Sequence, residues 1–232
     1  YTEATNQITK RMKFWQHLFT KLQDQQHVYL LTVIENSGSS PGRKGFKMLV
    51  AQDGFIFGSV GGGVMEFSLV EEAQKLLKNQ SPPIFLKKQV HQGNIKDGSG
   101  MICSGEQTVV FHPLNSSHIS VIKDILYCLQ NNQRKTICFS PTSFALSDTE
   151  ITDNYQTSIH TNNDWSFKEL IGFKNTLYIV GGGHVGLAVS ELFAKLGFYV
   201  VVFDNRNHLN TFEDNDFAIF DAVSKTIHNA LE

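Results

Sequence analysis

The sequence is poor in cysteine, in charge and in long apolar runs, and each shortage excludes a class of protein. Three cysteines in 232 residues form no C-x-x-C pair and follow no secretory signal, so we expect a reducing cytoplasm and no structural disulfides. No run approaches roughly 18 consecutive apolar residues, which excludes a transmembrane helix. Charged residues make up 18%, the net charge is −2 and no basic block occurs, so neither nucleic acid nor a membrane is an expected partner.

Several catalytic motifs are missing as well. The chain contains no G-x-S-x-G nucleophile elbow, no Walker-type loop ending in G-K-[ST] and no H-E-x-x-H pair. Its nine histidines show no metal-ligand spacing. No convincing acid/base residue stands out. These absences favour a binding or accessory role over an enzyme.

Apolar patterning divides the chain into two parts. Helices are predicted at residues 8–22, 67–77, 121–129 and 184–196, and strands at residues 28–34, 47–51, 55–60, 84–86, 108–111, 136–139, 177–180, 199–203 and 217–220. Residues from about 145 to 170 lose periodicity and gather Asp, Asn, Thr and Ser, which predicts a linker. The expected fold class is therefore α/β. We expect an N-terminal mixed α/β domain with its linker over residues 1–168, then a Rossmann-like βαβ unit over residues 169–232 that is C-terminally truncated.

The strongest local motif is a dinucleotide-binding fingerprint in the second part. Gly181, Gly183 and Gly186 form G-x-G-x-x-G between a predicted strand and a predicted helix, and Asp204 follows at the end of the next strand. The glycines suit a tight turn, a pyrophosphate on backbone amides and close helix packing, while Asp204 suits ribose hydroxyls. The alternative is a Rossmann-like unit whose glycines serve packing alone.

Two side chains near this fingerprint are open to two interpretations. His184 lies in the turn, where it either contacts a ligand or is simply exposed. Arg206, two residues after Asp204, suits a 2′-phosphate or another anion, but a solvated loop arginine fits equally well.

Two loops of small residues flank a predicted hairpin in the first part. They occupy residues 38–45 and 58–63. Such loops expose runs of backbone amides that can donate hydrogen bonds to an anion. Side-chain hydroxyls add further donors and basic side chains add positive charge, so the loops suit a phosphate or another polyanionic ligand. The contributing side chains are Ser39, Ser40, Ser59, Arg43, Lys44 and Lys47. The alternative is that the glycines satisfy turn geometry and the basic residues are surface charge.

A glycine-rich stretch at residues 98–107 contains Cys103. A thiolate there suits a soft metal or a persulfide sulfur, and the alternative is a small buried hydrophobe. Cys128 shares an apolar helix face and Cys138 lies within a strand, so only Cys103 is a candidate for chemistry.

Taken together and in this order, the motifs resemble the XdhC/CoxI family of xanthine dehydrogenase accessory factors. The residues that carry the resemblance are Gly38-Ser39-Ser40-Pro41 with Met48, Gly58-Ser59-Val60-Gly61-Gly62-Gly63 with Glu66, Met101-Ile102-Cys103-Ser104-Gly105-Glu106, and Ile179-Val180-Gly181-Gly182-Gly183-His184-Val185-Gly186 with Asp204-Asn205-Arg206. The resemblance implies a two-domain protein that binds molybdenum cofactor (molybdopterin). It also implies that the protein assists sulfuration of the cofactor and its insertion into a xanthine-dehydrogenase-type molybdoenzyme.

The resemblance extends to individual residues and partners. It implies a catalytic or metal-facing role for Cys103 and cofactor binding by Ser39, Ser40, Arg43, Ser59, Gly61, Gly62, Gly63, Glu66, Gly181, Gly183, His184, Gly186, Asp204 and Arg206. A cysteine desulfurase and a second copy of the chain are further candidate partners.

Three departures from the family pattern bear on these roles. Ser104 replaces the first glycine of Cys-Gly-Gly, and Asn205 replaces the second carboxylate of an Asp-Asp-Arg type of sequence. The family's later C-terminal motifs have no counterpart here.

Two other functions remain open at this point. The fingerprint around Gly181 and Asp204 is also that of an NAD(P)-dependent oxidoreductase, with NAD(P) as its cofactor. A docking module with vestigial loops is the third possibility.

Overall fold

The computed structural model describes residues 7–79, 81–91, 105–173, 175–206, 209–213 and 219–221. The chain forms two compact units. The N-terminal unit comprises Phe14–Leu126 and Lys135–Ile171, and the C-terminal unit comprises Tyr1–Lys13, Tyr127–Arg134 and Gly172–Glu232. The last crossing between the two units follows Ile171, and the domain boundary expected after residue 168 stays a prediction.

The described chain contains five α-helices and twelve strands. The helices are α1 (Gln7–Gln23), α2 (Gly63–Leu76), α3 (Ile119–Gln130), α4 (His184–Lys195) and α5 (Asn210–Glu213). The strands are β1 (Val28–Gly38), β2 (Lys47–Ala51), β3 (Ile56–Gly58), β4 (Phe85–His91), β5 (Gly105–Leu114), β6 (Lys135–Phe139), β7 (Phe144–Ser147), β8 (Tyr155–Thr161), β9 (Asp164–Ile171), β10 (Thr176–Val180), β11 (Tyr199–Phe203) and β12 (Ile219–Asp221). None of these helices combines the length and the apolarity needed to cross a bilayer.

A five-stranded antiparallel sheet forms the centre of the N-terminal unit, in the order β3-β2-β1-β5-β4. Residues 28–34 of β1 are fully buried, as expected for a central strand covered on both faces. One face packs against α2 through a cluster of apolar side chains. This cluster contains Tyr29, Leu31, Val33, Met48, Val50, Val60, Leu69, Val70, Ala73, Leu77, Val109 and Phe111.

Aromatic contacts connect the first helix to both sheets of this unit. The ring of Phe14 lies 6.2 Å from that of Phe57 on β3, and the ring of Trp15 lies 6.4 Å from that of Phe144 on β7. Both α1 residues are buried, as are Leu18 and Leu22, so this face of the helix packs against the core.

The second sheet of this unit corrects a prediction. Residues 145–170 were expected to be a linker, but β7-β6-β9-β8 form a four-stranded antiparallel sheet that contains most of them. Strand β9 alternates buried Trp165 and Phe167 with polar neighbours, and Thr161 pairs with Asp164 across a two-residue turn. The linker prediction was wrong because the many polar residues belong to half-exposed strands and a tight hairpin.

The C-terminal unit contains a parallel sheet in the order β10-β11-β12, with α4 following β10. Ala194, Val200 and Val202 form its buried core. This order matches the first half of a doubly wound sheet, and the third strand, predicted at residues 217–220, is present as β12. The predicted fold class, a mixed α/β domain followed by a Rossmann-like unit, is confirmed.

Candidate functional site

The glycine-rich motifs of the first part meet at one end of the five-stranded sheet. Gly38 at the end of β1 pairs with Gly105 at the start of β5. A Cβ atom on Gly105 would overlap the backbone of Ser40, and one on Gly61 would lie 2.7 Å from the backbone nitrogen of Gly42. Because these backbones touch directly, the loops at residues 38–45 and 59–63 and the start of β5 form one structure, which we call the three-loop cluster.

A row of three amide side chains lies beneath this cluster. Gln107 on β5 pairs in register with Asn36 on β1 and with Gln89 on β4, so the three lie side by side. Both glutamines are buried. The backbone nitrogen of Lys44 donates a 2.9 Å hydrogen bond to Asn36 Oδ1, which ties the first loop to the sheet.

The two glutamines of this amide row join both loops and helix α2. Gln107 Oε1 accepts from the backbone nitrogen of Gly42 (2.9 Å), and its Nε2 donates to the carbonyl of Val60 (3.2 Å) and to Gln89 Oε1 (2.8 Å). Gln89 Nε2 then donates to the carbonyl of Met65 (2.9 Å). Sequence reasoning missed this row because it depends on the pairing of β4 and β1 with β5, which no local pattern specifies.

The carboxylate of Glu66 holds the second loop. Its Oε2 accepts hydrogen bonds from the Ser59 hydroxyl (2.6 Å) and from the backbone nitrogens of Val60 (2.9 Å) and Gly62 (2.8 Å). Partial burial raises the pKa of Glu66, but the bonds from Ser59, Gly62, Val60 and Gly61 outweigh it and hold the pKa below its usual range. These donors, predicted to bind a phosphate, are therefore engaged by an internal carboxylate.

Open space remains at the start of α2. A Cβ atom on Gly62 or Gly63 would meet nothing within 4 Å, so a ligand can approach the backbone there. The amino end of a helix carries a partial positive charge that favours anions.

The polar side chains of the first loop differ in exposure. Ser40 is buried and its hydroxyl donates to the carbonyl of Gly42 (2.9 Å), so its role is internal. Ser39 and Arg43 are exposed, and Arg43 Nη1 lies 3.4 Å from the carbonyl oxygen of Gly38. Lys47 forms an ion pair with Glu169. Ser39 and Arg43 are thus the exposed polar residues of this loop beside the cluster, and Lys44 next to them is half-buried.

The predicted thiol, Cys103, lies outside the described residues. The sequence places it two positions before Gly105, which is in the three-loop cluster. Of the other cysteines, Cys128 is buried, and burial raises the pKa of the Cys138 thiol. Across the described ranges, no group of three or more His, Cys, Asp or Glu side chains is arranged to hold a metal ion.

A polar groove of about 280 Å³ lies at the same end of the sheet. Its charged side chains are Glu35, Lys88 and Glu106, and Lys88 Nζ lies 2.6 Å from Glu106 Oε2. Hydrogen bonding to Glu106 and its charge raise the pKa of Lys88. Sequence reasoning did not single out this groove.

The fingerprint in the C-terminal unit has the predicted backbone geometry. A Cβ atom on Gly186 would overlap the carbonyl oxygen of Gly181, so the first turn of α4 packs directly on the end of β10. The backbone nitrogen of Gly182 donates to Asp204 Oδ2 (2.6 Å), and the hydroxyl of Thr211 donates to the carbonyl of Gly182. The turn is therefore held by a carboxylate on one side and by a buried hydroxyl on the other.

Arg206 lies beside this turn. Its guanidinium bonds Asp204 side-on, with Nε at 2.9 Å from Oδ1 and Nη2 at 2.7 Å from Oδ2. Hydrogen bonds hold the pKa of Asp204 well below its usual range: the largest effect comes from the Arg206 guanidinium, and smaller ones come from the backbone amides of Gly182 and Arg206. His184 is the first residue of α4 and is exposed.

Comparison with known proteins gives a family for one segment and a domain type for another. Residues 22–87 match the XdhC and CoxI family, and residues 179–230 match the NAD(P)-binding Rossmann-like domain. The resemblance predicted from the motifs is therefore confirmed.

Two individual proteins are similar to most of the chain. The uncharacterized protein YqeB of Escherichia coli strain K12 is 24% identical over 184 residues, which are 79% of this chain and 23% of YqeB. The chain thus spans about a quarter of the length of that relative. A crystal structure of a xanthine dehydrogenase from Bacillus halodurans has a TM-score of 0.61 at 24% identity, covering 91% of this chain and 69% of that one. At this identity the likeness shows a shared fold.

Proposed function

We propose that this protein, whose residues 22–87 match the XdhC and CoxI family, binds molybdenum cofactor and assists its sulfuration and insertion into a xanthine-dehydrogenase-type molybdoenzyme. One observation carries the proposal: the separate family motifs around Ser40, Gly61 and Gly105 meet in a single three-loop cluster.

The cluster offers complementary groups to an anionic cargo. The exposed Ser39 and Arg43 and the open amino end of α2 at Gly63 supply the donors and the positive charge for the cofactor's phosphate. Glu66 has a different role from the one its motif suggests: it fixes the loop that presents these groups. We therefore propose that Ser59, Gly61 and Gly62 shape the site and that Ser39, Arg43 and Gly63 contact the cargo.

Cys103 is the proposed thiol for the molybdenum or its sulfur. A thiolate is a suitable ligand for a soft metal and a suitable carrier of persulfide sulfur. A cysteine desulfurase is the class of partner that would supply this sulfur. The recipient would be the apo form of the molybdoenzyme.

Copurification tests this function. The chain is isolated from cells that make molybdenum cofactor, and bound molybdenum and oxidised-pterin fluorescence are measured for the wild type, for Cys103→Ala and for Cys138→Ser as the matched control. We expect retention by the wild type and the control and a loss in Cys103→Ala. Absence of cofactor from all three proteins would reject the proposed function. Equal retention by all three would mean that Cys103 does not take part in binding the cofactor.

Binding of a nicotinamide dinucleotide by the C-terminal unit is a second candidate function. It is favoured by the match of residues 179–230 and by the turn that Gly182 and Asp204 form. An NAD(P)-dependent oxidoreductase remains the alternative to the accessory function. Titration of the protein with NADH and NADPH, followed by nicotinamide fluorescence, tests this binding, and no binding of either dinucleotide at millimolar concentration would reject it.

A further inference from the structure

We propose that Arg206 makes the C-terminal unit selective for a dinucleotide that carries a 2′-phosphate, NADP(H), over NAD(H). The inference rests on dinucleotide binding as the second proposed function and adds which dinucleotide is bound. It follows from the partners of Asp204 and from the position of the Arg206 guanidinium.

Asp204 has no acceptor site left for a ribose. In dinucleotide-binding turns of this type, the acidic residue after the second strand accepts hydrogen bonds from the ribose hydroxyls of NAD. Here Oδ1 accepts from the backbone nitrogen and Nε of Arg206, both at 2.9 Å, and Oδ2 accepts from the backbone nitrogen of Gly182 (2.6 Å) and from Nη2 of Arg206 (2.7 Å). A carboxylate offers about four lone-pair sites, and its side chain is only 3% exposed. A ribose diol would therefore have to displace Arg206.

Arg206 itself is available to a ligand. Its side chain is 56% exposed, and the bonds to Asp204 use Nε and Nη2, which leaves the Nη1 amino group for another acceptor. The side-on pair with Asp204 also fixes the plane of the guanidinium, so little rotamer entropy remains to be lost on binding.

The guanidinium lies where the nucleotide would bind. A Cβ atom on Gly183 would meet one atom within 4 Å, and this atom is Nη2 of Arg206. Gly183 is the residue before α4, at the position where the pyrophosphate approaches the helix in a Rossmann turn. A phosphate on the neighbouring ribose would thus be within the reach of the Arg206 side chain.

The charges favour the same ligand. Asp204 alone would repel a 2′-phosphate, but its charge is balanced by Arg206, and the ion pair stays formed at neutral pH because hydrogen bonds from Arg206 and Gly182 lower the pKa of Asp204. A 2′-phosphate adds a charge-assisted bond to the arginine, whereas the hydroxyl of NAD adds none.

Parallel titrations of the full chain with NADPH and NADH test the inference. We expect the wild type to bind NADPH at least about tenfold more tightly, the effect of one charge-assisted hydrogen bond. Arg206→Met should lose about tenfold in NADPH affinity while NADH binding is unchanged or stronger, because Asp204 is released. Adenosine 2′,5′-bisphosphate should compete better than 5′-AMP with the wild type only.

The controls separate the possible failures. Lys195→Met removes an exposed charge from α4 and should leave the preference intact, and near-ultraviolet circular dichroism checks that each variant is folded. A wild type that binds NADH as tightly as NADPH overturns the inference but leaves dinucleotide binding standing. A preference that survives Arg206→Met overturns the role of Arg206. No binding of either dinucleotide overturns the second proposed function and this inference together.

Discussion

Glu66 shows how one side chain determines what a glycine loop can bind. The spacing of the second loop predicts backbone amides open to an anion, but the Glu66 carboxylate already accepts the amides of Val60 and Gly62. The Glu66 carboxylate therefore fixes the shape of the loop by accepting its amides, just as an acidic capping residue accepts the free amides at the start of a helix. A ligand on this loop has to bind on the open side, at Gly63.

Glu66→Gln tests this role. The neutral amide keeps the shape but loses the charge-assisted bonds from Ser59 and the loop amides, so we expect the free energy of unfolding at pH 7 to fall by about 1 kcal/mol, given partial solvent screening. Because the pKa of Glu66 is lowered in the folded protein, this stabilisation is fully present above the pKa of the unfolded chain, 4.5, and is lost as the pH falls through the folded value. Denaturant titrations measure both effects. Glu71→Gln, on the exposed face of the same helix, should change neither, and equal losses in both variants would contradict the role of Glu66.

His112 gives the fold a second dependence on pH. Burial, followed by repulsion from His118, lowers the pKa of His112 from 6.5 to about 4, and its ring lies 6.2 Å from Phe139 and 5.7 Å from Phe144. The unfolded chain binds the proton first as the pH falls below 6.5. We expect the free energy of unfolding to decrease by roughly 2 to 3 kcal/mol between pH 6.5 and pH 4.

The variant His112→Gln should weaken this dependence on pH, while His160→Gln, at an exposed position on β8, should keep it. Thermal unfolding followed across this pH range measures the difference. An unchanged slope in His112→Gln would mean that other groups cause the acid sensitivity.

At the scale of elements, the amide row explains why two loops of different sequence meet at the start of β5. Strand register places Gln107 between Asn36 and Gln89. Asn36 bonds the first loop, Gln107 bonds the first and the second loop, and Gln89 bonds helix α2. Buried amides of this kind stabilise only if all their partners are in place. The row therefore couples the geometry of the loops to the pairing of the strands.

Gln107→Leu should disrupt the three-loop cluster. It leaves the Gly42 amide, the Val60 carbonyl and Gln89 without their partner in a buried place, and we expect a loss of about 3 kcal/mol in the free energy of unfolding. Chemical denaturation measures it, with Gln52→Leu at an exposed turn as the control. If Gln107→Leu costs no more than the control, the row does not hold the cluster.

Sequence patterns predicted the elements with strong periodicity and missed those without it. The buried strand around Leu30 and the glycine turn at Gly181 follow from apolar runs and from glycine spacing, which are local signals. The hairpin of β8 and β9 was missed because Trp165, Phe167 and Ile171 alone mark its buried face, and no residue of β8 is fully buried. The bonds of Glu66, Gln107 and Arg206 depend on side-chain conformation and strand register, which no local pattern specifies.

At the scale of the whole molecule, the described residues of each proposed site belong to one compact unit. Ser39, Arg43 and Gly63 belong to the N-terminal unit, and Asp204 and Arg206 belong to the C-terminal unit. If each unit binds its ligand with its own residues, the two activities can be removed one at a time.

Arg43→Gln and Arg206→Met should therefore each weaken the binding of one ligand and leave the binding of the other unchanged. Arg43→Gln removes a positive charge beside the three-loop cluster, so we expect severalfold less copurified molybdenum and an unchanged affinity for NADPH. Arg206→Met should retain molybdenum and lose the NADPH preference, because it leaves the cluster intact. If the sites are independent, the double variant should lose as much molybdenum as Arg43→Gln and as much NADPH preference as Arg206→Met. A loss of molybdenum in Arg206→Met would instead mean that the nucleotide turn contributes to cargo binding, and the cargo site would then have to include residues of both units.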